Sequence, residues 1–302
     1  MPVQERDTTV KTADGDLNAI VTAPGGPPRA GLVLIDGSGP ATRHEWAGIP
    51  DWLGARGIAT LRHDKPGCGG SPGDWRAQSF ADRSAEALAA VDALRAGTGV
   101  ERVGLIGYSQ GGWVSLLAAA SQPQAVDFVI TVSGPAVGIA EQERVSAERS
   151  LRRAGHPPAV VDEAMRWVDE RAARLAVGDP PADVLAAQAA HAGRVWYDIV
   201  AAAPYDTVET LAFFARTLAF DPAAVIPHLR CPILALFGAA DEQVPVERSV
   251  AVLAERLPGL HRGRNAVAVL PGAGHMLFVA EGEHSPVFLP MLGAFLDLVA
   301  FS

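Results

Sequence analysis

The chain has 302 residues, enough to bury a sizeable core without disulfide or metal staples. Hydrophobic residues make up 49% and charged residues 20%, which excludes a disordered chain. The net charge of −9 argues against a nucleic-acid partner, because neutralising phosphates needs an excess of lysine and arginine. Only Lys11 and Lys65 are lysines, and with so much Ala, Gly and Pro this fits a GC-rich bacterial genome. Two cysteines, Cys68 and Cys231, cannot build a disulfide framework or a zinc pattern, so no metal or other cofactor is expected. No apolar stretch follows a basic start in residues 1–10, and no apolar run approaches the ~20 residues that span a bilayer. A cytoplasmic protein with no membrane partner is expected.

The chain opens as a hairpin, residues 8–12 and 17–22 around a turn at Asp14-Gly15-Asp16. After a Pro/Gly loop at 24–28 come short apolar runs, the mark of strands buried on both faces. They cover residues 31–35, 58–61, 103–106, 128–132, 233–237 and 267–270. Helix-length segments at 46–56, 78–95, 111–121, 246–256 and 287–299 separate most of them. This alternation predicts an α/β fold with a mostly parallel central sheet flanked by helices. Residues 135–225 break the pattern with Ala-rich, charged helical stretches such as 140–153 and 160–176, and with several aromatics. The predicted organisation is a core of residues 1–134 and 226–302 with an all-helical insertion at 135–225. That insertion reads as an ordinary helical subdomain or as a lid over a cleft, and the two are compatible.

The strongest chemical signal is Gly107-Tyr108-Ser109-Gln110-Gly111, a G-x-S-x-G between a strand and a helix. Its glycines permit a sharp turn that lifts the Ser109 hydroxyl clear of the backbone beside a helix N-terminus. A serine nucleophile needs a base, and His275 directly follows the strand at 267–270 in Pro271-Gly272-Ala273-Gly274-His275. His261 and His284 lie in polar loops and are weaker candidates. The acid that orients the base is expected at Asp241, after the strand at 233–237, with the adjacent Glu242 still open. The order Ser109, Asp241, His275 is that of an α/β-hydrolase triad. Two backbone N–H groups are expected to form an oxyanion hole, one from Gln110 and one from Ser38 in Asp36-Gly37-Ser38-Gly39-Pro40.

These pieces, together with Arg62-His63-Asp64-Lys65-Pro66-Gly67-Cys68-Gly69-Gly70-Ser71, resemble the α/β-hydrolase superfamily over most of the chain outside the insertion. Within it the chain is most similar to bacterial esterases and acyl-peptidase-like hydrolases with an H-G-S-G-P loop. It departs from them at Asp36, where they commonly carry His. Relatives use the turn holding Asp64 and Lys65 to buttress the oxyanion loop. Here an Asp36–Lys65 ion pair is one possible form of that brace, and a solvated surface Lys65 is the other reading.

The resemblance implies a serine hydrolase acting on a carboxylic ester, lactone or thioester, with a partly apolar small-molecule acyl substrate. Peptide cleavage and intramolecular acyl transfer (cyclisation in a biosynthetic pathway) use the same triad and stay as alternatives, with a non-catalytic ligand-binding protein behind them. Aspartate-nucleophile relatives are excluded by Ser109, and Cys68 has no base or helix N-terminus evident beside it. Gly37, His44, Trp46, Tyr108, Trp196 and Phe213 are the expected substrate-binding residues; for His44, Glu45 and Trp46 plain surface placement is the competing reading.

Overall fold

A computed structural model describes residues 3–46, 48–202, 204–259 and 264–299. Strands β1 (Gln4–Thr12) and β2 (Gly15–Ala23) form the opening hairpin. It runs farther than the predicted 8–12 and 17–22, because residues 4–7 pair in register although all four are exposed. Then come β3 (Ala30–Ile35), α1 (Ile49–Ala55), β4 (Ile58–His63), α2 (Phe80–Thr98), β5 (Val103–Tyr108), α3 (Gln110–Ser121) and β6 (Val129–Val132). Helix α1 begins three residues later than predicted. Trp46 and Gly48 both have positive φ, 69° and 76°, and Pro50 sits at the start of the helix, where its missing N–H costs nothing. Helix α2 starts sharply because Ser79 and Asp82 form a capping box.

Six helices follow before the next strand: α4 (Ile139–Arg153), α5 (Pro158–Ala176), α6 (Pro181–Ala189), α7 (Tyr197–Val200), α8 (Val208–Thr217) and α9 (Pro222–Val225). The chain then completes β7 (Ile233–Gly238), α10 (Val246–Arg256), β8 (Ala266–Leu270), a two-stranded hairpin of β9 (Phe278–Ala280) and β10 (Glu283–His284), and α11 (Phe288–Val299). That hairpin was not anticipated; its strands of three and two residues are too short to show a period.

The main sheet has eight strands in the order β1-β2-β4-β3-β5-β6-β7-β8. From β4 to β8 every pairing is parallel, while β1 and β2 join antiparallel at one edge. Alternate side chains of the buried strands feed two cores. Leu32 and Leu34 face Leu53 of α1 and Leu292 of α11, whereas Val33 and Ile35 face α2 and α3. After β3 the chain passes to β4 on one side and then returns to β5 on the other. The crevice between β3 and β5 is therefore a topological switch point, where the loops at the carboxyl ends diverge and leave room for a ligand. The loop Asp36–Pro40 and the Ser109 turn both end there. Among the described residues no helix is long and apolar enough to cross a membrane.

Candidate active site

Ser109 occupies the turn between β5 and α3 with φ 51° and ψ −119°, a conformation that a non-glycine residue rarely adopts. Its neighbours explain how the turn closes so tightly. A Cβ on Gly107 would fall 2.0 Å from the Gly111 carbonyl oxygen, and one on Gly111 would fall 2.2 Å from that of Ile35. The Ser109 N–H donates to Val132 O at 2.8 Å, which ties the strained turn to β6.

Two other loops meet Ser109. His275, after β8, brings Nε2 to 3.0 Å from Ser109 Oγ and Nδ1 to 2.8 Å from Asp241 Oδ2. The carboxylate can only accept, so the proton sits on Nδ1 and leaves Nε2 free to accept from the serine. Asp241 is nearly sealed from solvent, and its Oδ1 accepts from the Gln243 and Val244 N–H groups at 2.8 and 3.0 Å. Glu242, the alternative acid, is exposed and ion-paired with Arg153 of α4. Arg149, one turn earlier on α4, donates to the carbonyls of Asp241 and Val244, both at 2.9 Å. That tie between the helical insertion and the acid loop was missed from sequence, where Arg149 is one of several charges on an amphipathic helix.

The Asp36–Lys65 ion pair does not form. Asp36 Oδ1 instead accepts from Trp46 Nε1 at 2.7 Å. Lys65 is not at the surface either: it is 2% exposed, and Nζ donates to the carbonyls of Gly37 and Gly39, the latter at 2.6 Å. These two carbonyls flank Ser38, so the lysine holds the loop by its backbone and not by the Asp36 side chain. Burial pushes the Asp36 carboxyl up to about 6, against the pull of the Lys65 charge. Burial, helped by the Arg83 charge, pulls the Lys65 ammonium well below its ordinary range. Asp64 braces the next stretch by accepting from the Arg43 N–H at 2.7 Å and its guanidinium at 2.6 Å.

Arg83 of α2 was also missed. It donates to Gln110 Oε1 at 2.5 Å and to the Asp36 carbonyl at 2.9 Å, joining the two segments that carry the expected oxyanion donors. Its signal was present: residues 80, 83, 87, 91 and 94 form the apolar stripe of α2, and an arginine within such a stripe needs a buried partner. As the first residue of α3, Gln110 has no intrahelical partner for its N–H.

A cleft of about 530 Å³ opens over Ser109 and His275. Gly37, Ser38, Trp46 and Tyr108 line it, together with Glu45. The Trp46 and Tyr108 rings meet edge to face at 6.5 Å, and Tyr108 lies 5.2 Å from the His275 ring. His44 is exposed and does not line the cleft. Trp196 is also misplaced by the sequence reading. It is 1% exposed between β6 and β7, its ring tilted against that of His191 at 5.2 Å, and it belongs to the same buried cluster as Val33 and Leu105 of the sheet. Phe213 lines a second, smaller cavity of about 180 Å³ and packs edge-on against Trp75. His284 does line the main cleft, its ring lying between those of Phe278 at 4.4 Å and Phe288 at 5.1 Å, tilted to both. The unanticipated β9–β10 hairpin carries it there. His261 lies outside the described residues. Cys68 and Cys231 are both free, and burial pushes the Cys231 thiol up to about 11. Among the described residues no cluster of three or more side chains is arranged to hold a metal ion.

Residues 26–283 match the serine aminopeptidase S33 family. The chain belongs to that family of α/β-hydrolases. Esterase EstD of Thermotoga maritima is 26% identical over 294 residues, which cover 94% of this chain. The chain spans 62% of the length of that curated relative. Among solved structures, DcsB in complex with its substrate analogue superposes with a TM-score of 0.67 at 17% identity, covering 99% of this α/β-hydrolase and all of DcsB. An esterase of Pyrococcus furiosus, PF2001, gives 0.63 at 15% identity, over 98% and 92% of the two chains. These structural likenesses show the shared fold.

Proposed function

We propose that this α/β-hydrolase cleaves a carboxylic ester, lactone or thioester through an acyl-enzyme on Ser109. The observation that carries the reading is the continuous relay from Asp241 through His275 to the Ser109 hydroxyl, at 2.8 and 3.0 Å. Ser109 Oγ attacks the acyl carbon while His275 Nε2 takes its proton. The oxyanion gathers on the N–H groups of Ser38 and Gln110, worth about 3 kcal/mol each. His275 then returns the proton to the leaving oxygen or sulfur, the bond to the acyl carbon breaks, and a water activated by His275 releases the acid. Similarity to a relative named as an esterase supports the choice of bond. The helices between β6 and β7 act as a lid in this reading, which the contacts of Arg149 with the Asp241 loop support.

The test pairs a p-nitrophenyl ester with the matching p-nitroanilide. The ester is expected to turn over much faster, and Asp241→Asn is expected to lower its kcat by about four orders of magnitude. Faster cleavage of the anilide would overturn the ester reading in favour of peptide cleavage.

A further inference from the structure

The side chains of Trp46, Tyr108, Phe278, His284 and Phe288 line the same cleft as Ser109 and His275. A group joined to the carbonyl that Ser109 attacks therefore has these rings around it. Trp46 is held at three points. Its backbone has φ 69°, a costly conformation for a bulky residue, and its carbonyl accepts from the Ile49 N–H at 3.1 Å. Its indole Nε1–H donates to Asp36 Oδ1 at 2.7 Å. Its ring meets Tyr108 edge to face, and Tyr108 lies against the His275 ring. Backbone strain persists only where the surroundings hold it, and here they hold a half-buried indole at the cleft wall. An indole N–H open to water needs no protein partner; a carboxyl bonded to it fixes the orientation of the ring.

We propose that Asp36 is a positioning residue that pins the Trp46 indole as a flat wall of the substrate cleft, and that the cleft thereby selects esters carrying an aromatic ring. The inference rests on the esterase reading. An aryl ring meets Trp46 and Tyr108 in the offset or edge-to-face geometries that aromatic pairs prefer. A puckered cycloalkyl ring of the same carbon count gains only from the area it buries. Fixing the indole beforehand removes an ordering cost from binding. The indole N–H only donates, so it needs an acceptor at position 36, and Asp36 keeps one in both of its protonation states.

Two ester pairs, followed by pH-stat, place the ring on either half of the substrate. They are ethyl 3-phenylpropanoate against ethyl 3-cyclohexylpropanoate, and benzyl acetate against cyclohexylmethyl acetate. The wild type is expected to prefer the phenyl ester of at least one pair by about fivefold in kcat/KM. Asp36→Leu and Trp46→Leu are expected to bring that ratio to about one. Asp36→Asn keeps an acceptor oxygen and is expected to hold it within about twofold of the wild type. Should Asp36→Leu fail to fold, Trp46→Phe removes the same hydrogen bond from the other side and is expected to lower the ratio at least about twofold. Ratios near one in both wild-type pairs, an unchanged ratio in the folded variants, or a loss in Asp36→Asn equal to that in Asp36→Leu would overturn the assignment. p-Nitrophenyl acetate tests the esterase reading separately. Its hydrolysis without that of either phenyl ester rejects the aromatic selection alone, whereas no hydrolysis of any of these esters rejects the esterase reading.

Discussion

Arg83 and Asp36 show how single side chains set the electrostatics of the site without touching the reacting bond. Arg83 acts through Gln110 and the Asp36 carbonyl, so it is a positioning residue. Arg83→Met is expected to lower kcat about 10- to 100-fold while KM stays within about threefold, with partial rescue by Arg83→Lys. Equal losses in kcat and in folding stability, with no rescue, would mark it as a packing residue only. Asp36 has a folded pKa of about 6, above its ordinary value of 3.8. Its protonated form is favoured by folding, so the stability it contributes is present below pH 3.8 and is lost as the pH rises through 6. Asp36→Asn does not titrate. Its melting temperature is therefore expected to gain on the wild type from pH 4 to pH 7, and a constant difference would contradict the buried-acid account. At this scale Ser109 and His275 were legible because each follows a short apolar run in a glycine-rich turn, whereas the choice of Asp241 over Glu242 was not, since both follow the same run and only packing turns one of them to His275. The partners of Lys65 were not legible, since sequence does not show whether a lysine turns inward to carbonyls or outward to a carboxylate.

The elements that position the site are short turns held by steric necessity. The β5–α3 turn has no space at Gly107, where an added Cβ meets a backbone oxygen. Gly107→Ala is expected to abolish labelling of Ser109 by a fluorophosphonate probe and to lower the melting temperature by several degrees. Full activity in that variant would mean that the turn tolerates a Cβ at this position and is not sterically closed. The strands and helices of the core were readable from period and capping, as with Ser79 and Asp82 before α2. Two elements were harder to read. The start of α1 depends on positive φ values at Trp46 and Gly48, which periodicity does not encode. Strands β9 and β10 are too short for any pattern, yet they bring His284 and Phe278 to the cleft.

In the whole molecule, the sheet order places the loops after β3, β5, β7 and β8 at one end of one sheet, and the insertion between β6 and β7 meets them there. Which insertion residues face the cleft was the least legible part of the sequence. Trp196 and Phe213 are both large and aromatic, but one is sealed in the main buried cluster and the other lines the small cavity. That choice depends on how α4 to α8 pack together, a tertiary property that neither composition nor spacing carries. The central claim is that Ser109 becomes acylated. Rapid mixing with an excess of p-nitrophenyl ester, followed by intact-protein mass and peptide mapping, tests it most directly. An initial burst of nitrophenol is expected, with an acyl mass on the peptide holding Ser109 and loss of both in Ser109→Ala. Steady turnover by Ser109→Ala, or an acyl group mapped to any other residue, would contradict it.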